Sequence, residues 1–113
     1  MLVRSSQLFR LFRAHSPTWR PPTDVYETEH EMIVQIEIAG MRDGHFHLSI
    51  QDRLMVVYGS RDDNTHERRA YHQLEIHSGD FRAEVELSSP VDTASVIADY
   101  DDGFLRIILP KLG

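Results

Sequence analysis

The histidines are the side chains of this 113-residue chain that most directly suggest chemistry, and there are seven of them. His45 and His47 alternate along one predicted strand, and His66, His72 and His77 follow in a long loop region. Imidazole binds zinc, but a structural zinc site takes about four ligands, and the spacing fixes no third ligand here. We therefore predict no metal site. A second hypothesis is that the loop histidines alter subunit contacts between about pH 5 and 8, where imidazole changes its charge.

Carboxylates and serines are the other side chains that we considered as catalytic groups. Asp99, Asp101 and Asp102 are close in sequence, but aspartate is common in turns because its side chain binds nearby backbone N–H groups. Ser88 and Ser89 lack the Gly-x-Ser-x-Gly frame that exposes a nucleophilic serine. No glycine-rich phosphate loop with its lysine is present. The sequence therefore predicts neither an enzyme nor a bound cofactor, and no dependence on ATP.

Composition indicates one ordinary globular domain. Apolar residues make up 41% of the chain and charged residues 27%. Cysteine is absent, so disulfides cannot form, and we expect a cytoplasmic location. No apolar run approaches the roughly 20 residues that a membrane-spanning helix needs.

Charge is divided unevenly along the chain. Arg4, Arg10, Arg13 and Arg20 lie within the first 23 residues, which hold no acidic residue, and all 18 carboxylates follow them. The formal net charge of the whole chain is −6. Because a body this acidic repels phosphate groups, we do not expect nucleic acid as a partner.

Period-two alternation of apolar and polar residues dominates the chain after residue 24 and predicts β-strands. Glycine, proline or acidic turn residues separate the runs. The predicted strands cover residues 32–38, 46–50, 54–58, 81–87, 95–100 and 104–109. Many short strands at a spacing of about ten residues are typical of an all-β antiparallel sandwich.

The N-terminal residues 1–18 form a predicted arm, and residues 19–113 form the domain. Leu8, Leu11 and Phe12 have helical spacing, but an isolated helix of this length is marginal in water, so we expect the arm to be partly helical or disordered. Three prolines between residues 16 and 22 form a hinge after it. The acid-free composition of the arm is also typical of an organelle transit peptide.

Residues 60–80 do not fit a self-contained sandwich. A polar stretch opens this segment, and a strand-like piece at residues 71–76 follows it. A loop this long inside a compact domain is usually functional or disordered. We predict that the strand-like piece pairs with a sheet edge, and a neighbouring subunit is a plausible place for that edge.

Five segments in the correct order resemble the alpha-crystallin domain of bacterial small heat-shock proteins. The most telling is the closing segment, where Asp102-Gly103-Phe104 opens a strand that Pro110-Lys111 ends. The other four are residues 19–28, 36–41, 54–61 and 71–82. From the first to the last, these segments span about residues 19–111, which is nearly all of the chain outside the arm.

The resemblance implies an immunoglobulin-like sandwich and an ATP-independent chaperone, a holdase that binds partly unfolded client proteins under stress. It implies a homodimer, or a larger homo-oligomer, built by strand exchange through Val25, Tyr26, Tyr71, His72, Leu74 and Ile76. It also implies a groove at the sandwich edge, which accepts a neighbour's Ile-x-Ile tail and is lined here by Phe46, Leu48, Ile50, Val96, Ile97 and Ala98. The sequence stops two residues after Lys111 without such a tail, so we expect a dimer or a modest assembly.

Client capture is assigned to the arm, because a holdase needs mobile apolar side chains that recognise no particular sequence. The arm residues that we expect to bind clients are Leu8, Phe9, Leu11, Phe12 and Trp19. Two alternatives stay open. A CS-like interaction module of the same fold would be monomeric, and a membrane-associated stress protein would lay the basic arm on anionic lipid.

Overall fold

A computed structural model describes residues 18–41, 45–62 and 67–113 as two antiparallel β-sheets. The strands are β1 (Thr23–Glu27), β2 (Glu31–Glu37), β3 (His47–Gln51), β4 (Leu54–Arg61), β5 (Gly79–Glu86), β6 (Ile97–Asp101) and β7 (Phe104–Pro110). One sheet has the order β1-β2-β7-β6, and the other has the order β3-β4-β5. The predicted all-β, immunoglobulin-like sandwich is confirmed.

The core lies between the sheets and follows the alternation of the strands. Within the four-stranded sheet, Val34 pairs with Ile107, and both side chains are almost completely buried. Across the sandwich, the inward positions of β4 and β5 supply the opposite wall. The principal core side chains are Met32, Val34, Ile36, Ile38, Met55, Val57, Phe81, Ala83, Val85, Leu105, Ile107 and Leu109. Each fully buried aliphatic side chain of this kind contributes about 1.5–3 kcal/mol.

The fifth predicted strand, at residues 95–100, begins later than the sequence suggests. Thr93–Ser95 forms one turn of 3-10 helix, and β6 starts only at Ile97. Asp92 caps this turn, because its carboxylate accepts hydrogen bonds from the Ala94 N–H (3.2 Å) and the Ser95 hydroxyl (2.9 Å). The prediction of a strand from residue 95 is therefore wrong at its start, where a side-chain cap replaces ladder pairing.

Strand β4 continues through Gly59 to Arg61, beyond the end at residue 58 that the sequence predicted, and Gly59 makes room there for a core ring. Gly59 pairs with Phe81, whose ring packs directly over the glycine. A Cβ atom at Gly59 would lie 2.8 Å from Cζ of Phe81 and 3.1 Å from the His45 carbonyl oxygen. Only a residue without a side chain leaves room for the ring, which is fully buried in the core.

We therefore expect Gly59→Ala to lower the free energy of unfolding by about 1–3 kcal/mol, the usual cost of overpacking a core. Denaturant unfolding followed by circular dichroism measures the change. Ser60→Ala is the matched control, because Ser60 is the exposed neighbour on the same strand. Equal stability of the two variants would show that the Phe81 ring moves aside without cost.

Candidate functional site

Strand β1 presents an open edge of the four-stranded sheet. It pairs with β2 on one side and with no other described strand. Val25 and Tyr26 are 42% and 44% exposed, although they are large apolar side chains. An open strand edge offers N–H and C=O groups to any strand that comes alongside. The residues predicted for strand exchange on β1 therefore lie where a second chain has access to them.

The segment of residues 67–78 is the second part of the predicted exchange site. It has no regular secondary structure, and none of its described residues pairs with a strand of its own chain. Tyr71, Leu74 and Ile76 are 50%, 67% and 81% exposed, and His72 is exposed as well. The structure thus leaves three large apolar side chains in water and does not bring them to β1 of the same chain.

Arg61 fixes the C-terminal base of this segment. Its guanidinium donates hydrogen bonds to the carbonyl oxygens of His77 and Ala39, each with an N–O distance of 3.1 Å. A second guanidinium nitrogen also donates to the His77 carbonyl. The same guanidinium lies 4.5 Å from the ring centroid of Trp19. Sequence reasoning missed this role, because Arg61 contacts residues that are distant in sequence.

Trp19 belongs to the body of the domain, which corrects its assignment to the mobile client-binding arm. The backbone N–H of Trp19 donates to the Asp80 carbonyl (3.1 Å), and the Trp19 carbonyl accepts from the backbone N–H of Arg82 (3.0 Å). The indole stacks on the His77 ring at 5.2 Å and packs against Phe81 at 5.9 Å. The other predicted arm residues, Leu8, Phe9, Leu11 and Phe12, lie outside the described residues.

The predicted edge groove lies between β3 and β6, which are edge strands of different sheets. The Phe46 and Tyr100 rings meet at 5.3 Å across this opening. Leu48 and Ile50 pair with the core residues Val57 and Met55, so they point between the sheets, and Leu48 remains 37% exposed. The residues predicted to line the β3 side of the groove therefore face the space between the two edge strands.

Of the three residues predicted to line the β6 side of the groove, two face inward and one faces outward. Val96 packs against the core, and Ala98 pairs with the buried Ile107, so both follow the inward side of β6. Ile97 lies on the opposite face and is 59% exposed there. Tyr100 takes the next inward position, and its hydroxyl donates to the Ile38 carbonyl at 2.8 Å. The alternation of residues 96, 98 and 100 would have identified this tyrosine.

Two of the histidines stack on aromatic rings in the described part of the chain. The His47 ring stacks on Tyr58 at 4.8 Å, and the His77 ring stacks on Trp19. Residues 18–41, 45–62 and 67–113 contain no group of three or more His, Cys, Asp or Glu side chains that would hold a metal ion. In the same ranges, no helix has the length and apolar character to cross a bilayer. Packing accounts for both stacked histidines.

A family model described as the Hsp20/alpha crystallin family matches residues 24–113, which include every strand except the first residue of β1. The chain belongs to the Hsp20/alpha crystallin family. Small heat shock protein C4 of Rickettsia felis is 32% identical to it over 92 residues, which cover 80% of this chain and 56% of the relative. Small heat shock protein C2 of the same organism is 24% identical and is covered to 60%. The chain thus spans somewhat more than half the length of these relatives.

Solved structures of the family share the fold of the chain. The hspA protein of Xanthomonas axonopodis superposes with a TM-score of 0.74 at 20% identity, over 84% of this chain and 96% of that chain. HSP18.5 of E. histolytica gives a TM-score of 0.73 at 24% identity, over 85% and 91% of the two chains. The recognised resemblance to small heat-shock proteins is confirmed.

We expect Arg61→Lys to loosen the base of segment 67–78, because an ammonium group cannot hold two carbonyl oxygens and an aromatic face at once. A loss of about 1 kcal/mol of local stability corresponds to roughly fivefold faster amide hydrogen exchange in a peptide covering residues 71–80. Arg53→Lys is the control, because Arg53 donates one bond, to the Ser88 carbonyl at 3.3 Å. Unchanged amide hydrogen exchange in the Arg61→Lys variant would show that Arg61 does not anchor the segment.

Proposed function

We propose that the protein is an ATP-independent holdase that binds partly unfolded proteins and keeps them from aggregating under stress. Membership of the Hsp20/alpha crystallin family, through a match to residues 24–113, is the observation that carries this proposal. The structure supports it through exposed apolar side chains on segment 67–78 and an open edge on β1. The proposal includes no catalytic step and no cofactor.

The working unit that we propose is a homodimer formed by exchange of residues 71–76. In an extended conformation, His72, Leu74 and Ile76 share one side, and Tyr71 lies on the other. Paired beside β1 of a second copy, this segment would satisfy the open edge and remove Leu74 and Ile76 from water. The same contact made twice about a two-fold axis closes the assembly. Larger homo-oligomers are compatible with it.

Clients, in this proposal, bind to the apolar residues of the arm. Leu8, Phe9, Leu11 and Phe12 stand together in sequence, and burial of each contributes about 1.5–3 kcal/mol. At the upper end of this range, four such contacts give about 12 kcal/mol, which leaves the roughly 8 kcal/mol of micromolar affinity after an ordering cost of about 4 kcal/mol. Charge on the acidic domain would keep client complexes soluble by repulsion. We assign this activity to the cytoplasm.

The monomeric CS-like module is the alternative that the geometry disfavours. A monomer would leave Tyr71, Leu74 and Ile76 permanently in water and would also leave the edge of β1 open. Solution mass separates the two functions, because the holdase proposal requires at least a dimer and the adaptor module is a monomer. A monomeric mass at micromolar concentration would favour the adaptor.

The double substitution Leu74→Asn and Ile76→Asn tests the exchange contact. Each apolar side chain contributes about 1.5–3 kcal/mol when it is buried. Loss of two from each strand raises the dimer dissociation constant at least about a hundredfold. Sedimentation velocity or native mass spectrometry measures this change. The control is Gln73→Asn with Glu75→Asp, which alters the same segment but keeps its polarity and charge. Full dimerisation of the Asn variant would show that Leu74 and Ile76 are not part of the dimer interface.

The fourfold substitution of Leu8, Phe9, Leu11 and Phe12 by serine tests the arm. We expect the variant to keep the sandwich and the dimer, and to lose most of its protection of a heated client in a light-scattering assay. The control changes four polar arm residues, Ser5, Ser6, Gln7 and His15, to alanine. Protection equal to that of the unsubstituted protein would place client binding elsewhere on the molecule.

A further inference from the structure

One apolar row crosses the outer face of the four-stranded sheet from edge to edge. Tyr26 on β1 pairs with Ile33 on β2, Ile33 with Ile108 on β7, and Ile108 with Ile97 on β6. All four residues alternate with core positions of their strands, so their side chains point away from the core. We call this row of four residues the outer stripe.

The outer stripe is continuous and open at both ends. Ile33 is only 3% exposed although it faces outward, and Ile108 is half-buried. At the two ends, Tyr26 and Ile97 are 44% and 59% exposed. Three strand spacings of about 4.8 Å make the row roughly 14 Å long. Such a row fits a short chain segment better than a small molecule, since it is flat and extended.

Carboxylates surround the outer stripe. On the same face, the adjacent row holds Asp24, Gln35, Arg106 and Asp99, and the next row holds Glu37, Phe104 and Asp101. Glu31 lies on the other side of the stripe, next to Pro110. Within these four strands, Arg106 is the one cation on the outer face, against five carboxylates. The face therefore combines an apolar centre with an acidic border.

We propose that residues 1–17 of this chain, the N-terminal arm, dock on the outer stripe. The arm has the complementary pattern, since Leu8, Phe9, Leu11 and Phe12 alternate in pairs with Arg10 and Arg13, and the arm contains no acidic residue. Its apolar side chains would cover the stripe, and its guanidinium groups would meet the carboxylates of the border.

The length of the arm permits this contact. Trp19 fixes the start of the described chain beside β5, at the edge of the three-stranded sheet. Seventeen residues at about 3.3–3.6 Å each reach up to roughly 55–60 Å. The two sheets of a sandwich pack only about 10 Å apart, so this reach extends round the edge of the domain to the outer face.

Other occupants fit this face less well. A second copy of the same face would bring two acidic borders together, and an anionic lipid surface would be repelled in the same way. A client protein has no fixed charge pattern, whereas the border favours a segment rich in arginine. The consequence rests on the proposed function: a docked arm hides the side chains that bind clients, so docking and client capture compete.

Site-specific cross-linking tests the contact in the full chain. The sequence has no cysteine, so Ser6→Cys gives one attachment point for a benzophenone photo-cross-linker. We expect cross-links to peptides of β1, β6 and β7, reduced at least threefold by 0.5 M salt. Asp24→Asn with Asp99→Asn should reduce them as strongly. Glu84→Gln with Glu86→Gln, on the outer face of the other sheet, is the control and should not.

Charge exchange gives a second, independent test. Arg10→Asp with Arg13→Asp should abolish the cross-links, and addition of Asp24→Arg with Asp99→Arg should restore them. Cross-links spread over the three-stranded sheet, or cross-links to the stripe that none of these charge changes affects, would overturn the proposal. Cross-links that form only with a client present would overturn it too. A holdase assay measures chaperone activity independently of the cross-links. The docking proposal can therefore fail while the holdase proposal holds, and the holdase proposal can fail while docking is observed.

Discussion

The open edge of β1 is the constraint on which the rest of the molecule depends. A strand edge carries unpaired N–H and C=O groups and is a template for uncontrolled pairing. Here that edge coexists with three exposed apolar residues on segment 67–78, and the described part of the chain uses neither to cover the other. Both features are explained together if the segment of one copy completes the sheet of another. Without that exchange, each would be a separate aggregation hazard on one small domain.

The cluster around Arg61 joins the parts of the chain that would have to cooperate in such an assembly. Through one guanidinium, it contacts Trp19, where the domain begins after the arm, and His77, near the end of segment 67–78. It also binds the Ala39 carbonyl, two residues after the end of β2. A change in the direction of the segment must therefore alter contacts with the root of the arm. In the proposed function, client capture and subunit exchange would therefore use elements that share one anchoring side chain.

Most of the sandwich could be predicted from the sequence, because a half-buried strand shows its two faces as simple alternation. The runs that became β2, β5 and β7 are of this kind. The face of Ile97 could not be predicted securely, since the capped turn at Thr93–Ser95 sets where β6 begins, and a shift of one residue exchanges the two faces. Arg61 and Tyr100 were missed because their roles depend on carbonyl groups 16 to 62 residues away.

The uneven distribution of charge gains a structural meaning from the two faces of the four-stranded sheet. The inner face supplies the apolar core and is covered by the other sheet, whereas the outer face adds carboxylates on both sides of an apolar row. If charge served solubility alone, acidic residues would be equally useful in the arm, which has none. Separation of arginines into the arm and carboxylates onto the domain instead favours attraction between them. Because exposed charges are screened by salt, that attraction is reversible and suits a segment that, in the proposed function, must also be free to bind clients.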